Sequence, residues 1–192
     1  IKDFLTAEQF AKVDEMVKSA LGYSAENVKM VKPAMLTVLV LTSPKTIGCT
    51  TTAYDMSLMQ SAVGKNKPVI GLETVESQMQ VLDSMSLEKQ AKDFYKMATD
   101  MQKSVSDLKK LMAAYKTRDP DQLQELSVSQ LKDDKEFMTR LIDDRNAAWI
   151  PKLEVAFKDK PTFVAVGAGH LGGKKGVIKL LRAKGYDVTP VK

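Results

Sequence analysis

Val69-Ile70-Gly71-Leu72-Glu73 is the stretch whose reading decides the fold. It follows Lys67-Pro68, a turn signal, and ends its short apolar run on a carboxylate. An apolar run bounded in this way has the pattern of a strand buried in a parallel sheet. Two further runs resemble it: Thr162 to Val166 after Lys160-Pro161, and Tyr186 to Val191 after Gly185. The order is therefore strand, helical insertion over about 76–158, strand, helix, strand. The expected class is α/β, a single domain over 1–192 with a small, mostly parallel sheet and a large all-helical insertion. Three strands make a thin sheet for so many helices, because parallel sheets have both faces covered and their edges protected. With Ile1 in place of methionine, an upstream segment that completes the sheet is expected.

Helical patterning surrounds these runs. Thr6 and Gln9 have capping-box spacing, and Phe10, Val13, Val17 and Ala20 follow at helical intervals up to Gly22. A short helix is expected after Ser24, and another from Pro33 to Leu41. Ser43 to Thr52 reads as a loop, and Asp55 as the cap of a helix ending near Gly64. From Leu87 to Tyr115 apolar residues recur at alternating steps of four and three, which predicts one long packed helix. Its stripe would face other helices of the chain, or a second copy in a homodimeric coiled coil. Asp119-Pro120 opens a shorter helix, and a long one runs from about Asp134 to Phe157 with a kink or restart at Pro151. A last helix is expected from Lys174 to Lys184, stopped by Gly185.

Composition narrows the function. The chain is 44% apolar and 28% charged, the balance of a globular protein. Its apolar runs are far shorter than the roughly 20 residues of a membrane span. The net charge of +5 invites a nucleic-acid reading, but lysines alternate with acids, as in Glu88-Lys89, and lack interleaved aromatics. No nucleic-acid partner is expected. Cys49 is the only cysteine, so an intrachain disulfide and a thiolate metal cluster are both excluded.

The richest motif is Gly167-Ala168-Gly169-His170-Leu171-Gly172-Gly173-Lys174-Lys175, at the junction of an expected strand and helix. His170 is the only histidine, and the flanking glycines let the backbone turn and present it. A core histidine satisfied by backbone groups is the plainer alternative. The segment also fits G-x-G-x-x-G, but the chain ends too soon for the second half of a dinucleotide fold. The phosphate-loop pattern fails at Ala168 and Lys175, and a single histidine cannot make H-E-x-x-H. Glu73 ends the first run, and parallel strands would bring it to the same sheet edge as His170. A carboxylate and an imidazole there could serve as metal ligands or as a general acid–base pair. In Asp144-Arg145-Asn146, consecutive residues diverge by about 100° on a helix. Arg145 could hold Glu73 or a substrate oxygen bidentately, or be an ordinary surface charge.

Gly71-Leu72-Glu73-Thr74 with Glu76-Ser77-Gln78, Tyr54-Asp55, Asp144-Arg145-Asn146 with Trp149, and Val166 to Leu171 together resemble the TraB/GumN family. This family includes Tiki-like metalloproteases and a pheromone-shutdown protein. The resemblance covers nearly the whole chain as the C-terminal majority of such a domain. It implies divalent-metal hydrolysis through two G-x-x-H motifs and a glutamate. Carried over, Gly167 to His170 is the second such motif and Glu73 the glutamate. Glu73, His170 and Arg145 are then catalytic, and Glu73 and His170 bind Mn, Co or Zn. Gly167, Gly169, Asn146, Gln78 and Asp55 support the site or the substrate. The first G-x-x-H has no counterpart here, so the site is expected to be incomplete and this chain alone inactive.

Two functions remain open. One is a metal-dependent hydrolase acting on a peptide or small polar substrate. The other is a non-catalytic binding or signalling module that holds an anion near Lys174. The resemblance favours the hydrolase and implies a bacterial cell-envelope or periplasmic location.

Overall fold

A computed structural model describes residues 1–130 and 134–191. Among the described residues 69% are helical and none forms a strand, so the fold is all-helical and the expected α/β sheet is absent. The three expected strands, Val69 to Glu73, Thr162 to Val166 and Tyr186 to Val191, are irregular segments. The apolar runs suggested burial on both faces, yet each segment gives only one side to a core. Leu72, Val164 and Val166 pack inward, while Ile70 is 80% and Phe163 79% exposed. They lie on helices as straps, without ladder hydrogen bonds.

The chain divides into two compact units. The first comprises residues 1–52 and 82–110. Its helix Ala7–Leu21 starts with the capping box foreseen at Thr6 and Gln9. Val13, Met16, Val17 and Ala20 form its buried face, packed with Leu36 and Val40 of Pro33–Leu41 and with Phe94 and Met97 of Leu87–Thr99. The buried Gln90 side chain donates to the Leu82 and Met85 carbonyls and accepts from the Ala34 N–H. A buried amide satisfied in this way fixes the register of the elements it joins. Ser43 to Thr52 is not wholly loop: Ser43 caps a short helix, Pro44–Ile47.

The long helix expected over Leu87 to Tyr115 is two helices, Leu87–Thr99 and Met101–Lys116. Asp100 lies between them at φ −138°, and its carboxylate accepts from the Lys103 N–H. That side chain starts the second helix, and the apolar spacing continues across the break.

The second unit comprises residues 53–81 and 111–192. Its core joins Trp149, Ile150 and Leu153 of helix Asp144–Asp159 to Val177 and Leu181 of helix Val177–Ala183. Helical structure runs from Lys135 to Asp159 through one π turn, Thr139–Asp143, and does not restart at Pro151. The last helix starts three residues later than expected, at Val177 after Gly176. Among the described residues no helix is long and apolar enough to cross a membrane.

Candidate functional site

The candidate site is built on helix Asp144–Asp159 of the second unit. Arg145 and Asn146 leave it in different directions, as their adjacency requires. Arg145 meets Glu73: its Nε donates to Oε2 at 3.0 Å and its Nη2 to Oε1 at 2.5 Å. Gln78 Nε2 donates to Oε1 at 3.0 Å, and Arg145 Nη1 donates to the Leu141 carbonyl at 2.9 Å. Both partners are mostly buried, with 19% of the arginine and 13% of the glutamate side chain exposed. Burial alone would raise the Glu73 pKa, but the Arg145 guanidinium, helped by Trp149 and Gln78, holds it below the ordinary 4.5. Glu73 is therefore an anion at neutral pH.

Asn146 is fully buried and turns to the glycine-rich loop. Its Nδ2 donates to the carbonyls of His170 at 3.2 Å and Lys175 at 2.9 Å. Carbonyls only accept, so these bonds fix the amide's orientation and leave Oδ1 for the imidazole. His170 Nδ1 lies 2.7 Å from that oxygen and must donate to it. The proton is thus on Nδ1, and the Nε2 lone pair has no protein partner among the described residues. The ring stacks on Trp149, with centroids 4.5 Å apart and planes tilted by 45°. Burial, aided by the charge of Arg145 and opposed by Glu73, pushes the His170 pKa down to about 4. The imidazole is neutral at pH 7.

The loop is anchored from below by helix Pro120–Gln130. Asp121 Oδ1 accepts from the Gly173 N–H at 2.6 Å, and the same carboxylate meets Lys179 Nζ at 3.2 Å. A Cβ at Gly172 would lie 1.9 Å from the Pro120 carbonyl oxygen, so only glycine permits that approach. Gly167 abuts the other edge of the imidazole, where a Cβ would sit 3.6 Å from His170 Cδ2.

Glu73, Gln78, Arg145, Asn146, His170 and Gly167 therefore gather in one cluster, and Gly169 lines a groove beside it. Asp55 has no bond to this cluster. It sits in the first turn of helix Tyr54–Gly64, where it accepts from the Met56 N–H, while Ala53 is the N-cap. Two side chains that hold the cluster together were given no site role from the sequence, although Trp149 stood in the quoted motif. Trp149 carries both the imidazole and, at 5.2 Å, the Arg145 guanidinium, and the four-residue step from Arg145 was its signal. Its buried Nε1 makes no formed hydrogen bond, although it lies near enough to Glu73 to help hold that carboxylate ionised. Asp121 gave no local signal, because its partners are about fifty residues away.

The divalent metal implied by the resemblance does not fit the residues present. Among the described residues no group of three His, Cys, Asp or Glu side chains converges. Both oxygens of Glu73 are already committed to Arg145 and Gln78, which a cation would have to displace. What the cluster offers instead is an uncharged imidazole with a free lone pair beside a bound carboxylate–guanidinium pair.

The model of the TraB/PrgY/gumN family matches residues 1–190. No curated protein and no solved structure matches the chain.

Proposed function

From the premise that the chain belongs to the TraB/PrgY/gumN family, we propose that it is a hydrolase whose proton acceptor is His170. The observation that carries this reading is the tautomer: Asn146 holds the proton on Nδ1, which leaves Nε2 as a base. Water hydrogen-bonded to Nε2 loses a proton to it as the oxygen adds to a carbonyl carbon. The imidazolium then returns the proton to the leaving group as the carbonyl–heteroatom bond breaks. During this interval Glu73 favours the charged ring, against the larger opposing effects of burial and of Arg145. Arg145 uses three of its five N–H groups, on Glu73 and Leu141, and the remainder can donate to the developing oxyanion. A base whose pKa is about 4 is weak, so a modest rate is expected. Peptide and ester carbonyls are the substrate class, and the cell envelope is the location that family membership suggests.

The test is turnover of 4-nitrophenyl acetate and internally quenched peptides, followed as a function of pH. The rate should be flat through neutrality and fall on an acid limb near 4, set by His170. His170→Asn should reduce it by about 10²- to 10⁴-fold and Glu73→Gln by less, with far-UV circular dichroism unchanged. An unaffected rate in His170→Asn overturns the mechanism. Absence of turnover in the unmodified protein leaves a binding or signalling module as the function.

A further inference from the structure

A groove of roughly 360 Å³ lies in the second unit beside the loop that carries His170. Leu111, Met112 and Tyr115 come from the end of helix Met101–Lys116, Leu123 from helix Pro120–Gln130, and Gly169 from the loop. The volume is in the range of small-molecule sites. Met112 and Tyr115 are 41% and 56% exposed, so the lining is both apolar and accessible. Lys116 stands on the lining and has no acidic partner among the described residues.

The space beside Gly169 is open. At Gly172 and Gly176 a side chain would strike backbone atoms, at 1.9 and 2.2 Å. At Gly169 a Cβ would meet nothing within 4 Å, and φ is not in the left-handed region. Neither packing nor backbone conformation requires glycine there. Any larger residue would simply project into open space, one residue before the imidazole.

We infer that this groove receives an aliphatic chain of the molecule hydrolysed at His170, with a carboxylate toward Lys116. The inference rests on the hydrolase reading and narrows its substrate class to molecules that carry an apolar, anionic arm. Gly169, one residue before His170, ties the groove to the proposed base, and Lys116 on an otherwise apolar lining favours an anionic ligand over a neutral or cationic one.

Sodium octanoate titrated into the full chain, with methyl-labelled methionine and ¹⁵N-labelled glycine, tests it by NMR. Octanoate should move the Met112 methyl and the Gly169 amide saturably, and acetate should move neither. From butyrate to octanoate, affinity should rise about two- to fourfold per methylene, as expected for partial burial of each CH₂. Gly169→Leu, which fills the mouth, and Met112→Glu, at an exposed position, should each weaken binding at least about tenfold by removing apolar contact or opposing the carboxylate. Their circular dichroism should match the parent. Unmoved Met112 and Gly169 signals, or octanoate binding in Gly169→Leu as tight as in the parent, overturn the groove. His170-dependent turnover without octanoate binding removes the groove alone. Octanoate binding without turnover keeps the groove as a ligand site and removes the hydrolase.

Discussion

Asn146 donates from one nitrogen to two backbone carbonyls, so its oxygen is left to take the proton of His170 Nδ1. The same three bonds close the loop over the helix and choose the imidazole tautomer. Stability and chemistry are thus coupled in one fully buried side chain. Asn146→Ala leaves two carbonyls and one ring N–H without their partner. At about 1–3 kcal/mol for each unsatisfied group, partly relieved by water, a loss of about 3 kcal/mol is expected in denaturant unfolding. Because His170 is the only histidine, ¹⁵N chemical shifts report its tautomer without assignment. They should show Nδ1–H alone in the parent and a mixture of tautomers in the variant. A pure Nδ1–H signal in Asn146→Ala would mean that something other than Asn146 selects it. Glu73, His170, Arg145 and Asn146 were all legible as candidates, because each stands in a motif. The bidentate hold of Arg145 on Glu73 was legible too, as one of two partners open to that guanidinium. The further bond from Gln78 to the same carboxylate was not, since no spacing along the chain encodes it.

The glycine-rich loop is held from two sides, by Asn146 from one helix and by Pro120 and Asp121 from another. Its glycines read alike in the sequence, yet they differ physically. Gly172 lies where a Cβ would penetrate the Pro120 carbonyl, whereas the space at Gly169 is open. Gly172→Ala should therefore cost about 1–3 kcal/mol through forced backbone movement, and Gly169→Ala no more than about 0.5 kcal/mol. Urea unfolding of the two variants side by side measures this contrast, and equal losses would contradict it. Secondary structure was legible wherever a local signal decided it, as in the Thr6–Gln9 capping box and the helix from Pro33 to Leu41. It was misread where a local pattern served two structures. The stripe from Leu87 to Tyr115 keeps its period across Asp100, so only the capping bond to Lys103 discloses the break. The runs at Val69 and Thr162 are apolar enough for buried strands, but a strand also needs a partner for its backbone. No described segment supplies one, and the side chains instead cover helices from one side.

Across the whole molecule, interleaved charges pair locally along helices, as in Lys92 with Glu88 and Lys103 with Asp107. Exposed pairs of this kind add little to stability and screen easily. The buried imidazole has a different reach, because its pKa differs between the folded and unfolded chain. His170 is held near 4 when folded, against an ordinary 6.5. Between these values the unfolded chain binds a proton that the folded chain does not. Stability must then rise with pH across the window, and fall as pH drops from 6.5 toward 4. Above 6.5 the group is neutral in both states and its slope vanishes. Glu73 and Asp14 act at lower pH. Their folded pKa values lie below the ordinary 4.5 and 3.8, so their contributions are intact above those values and lost only beneath them. The limb from 6.5 to 4.5 is thus assigned to His170. Urea midpoints measured through this range should fall with pH in the parent and stay nearly level in His170→Gln, which lacks the imidazole. A variant with the same slope as the parent would show that the limb does not come from the imidazole, and the neutral, Asn146-locked base on which the proposed chemistry depends would lose its support.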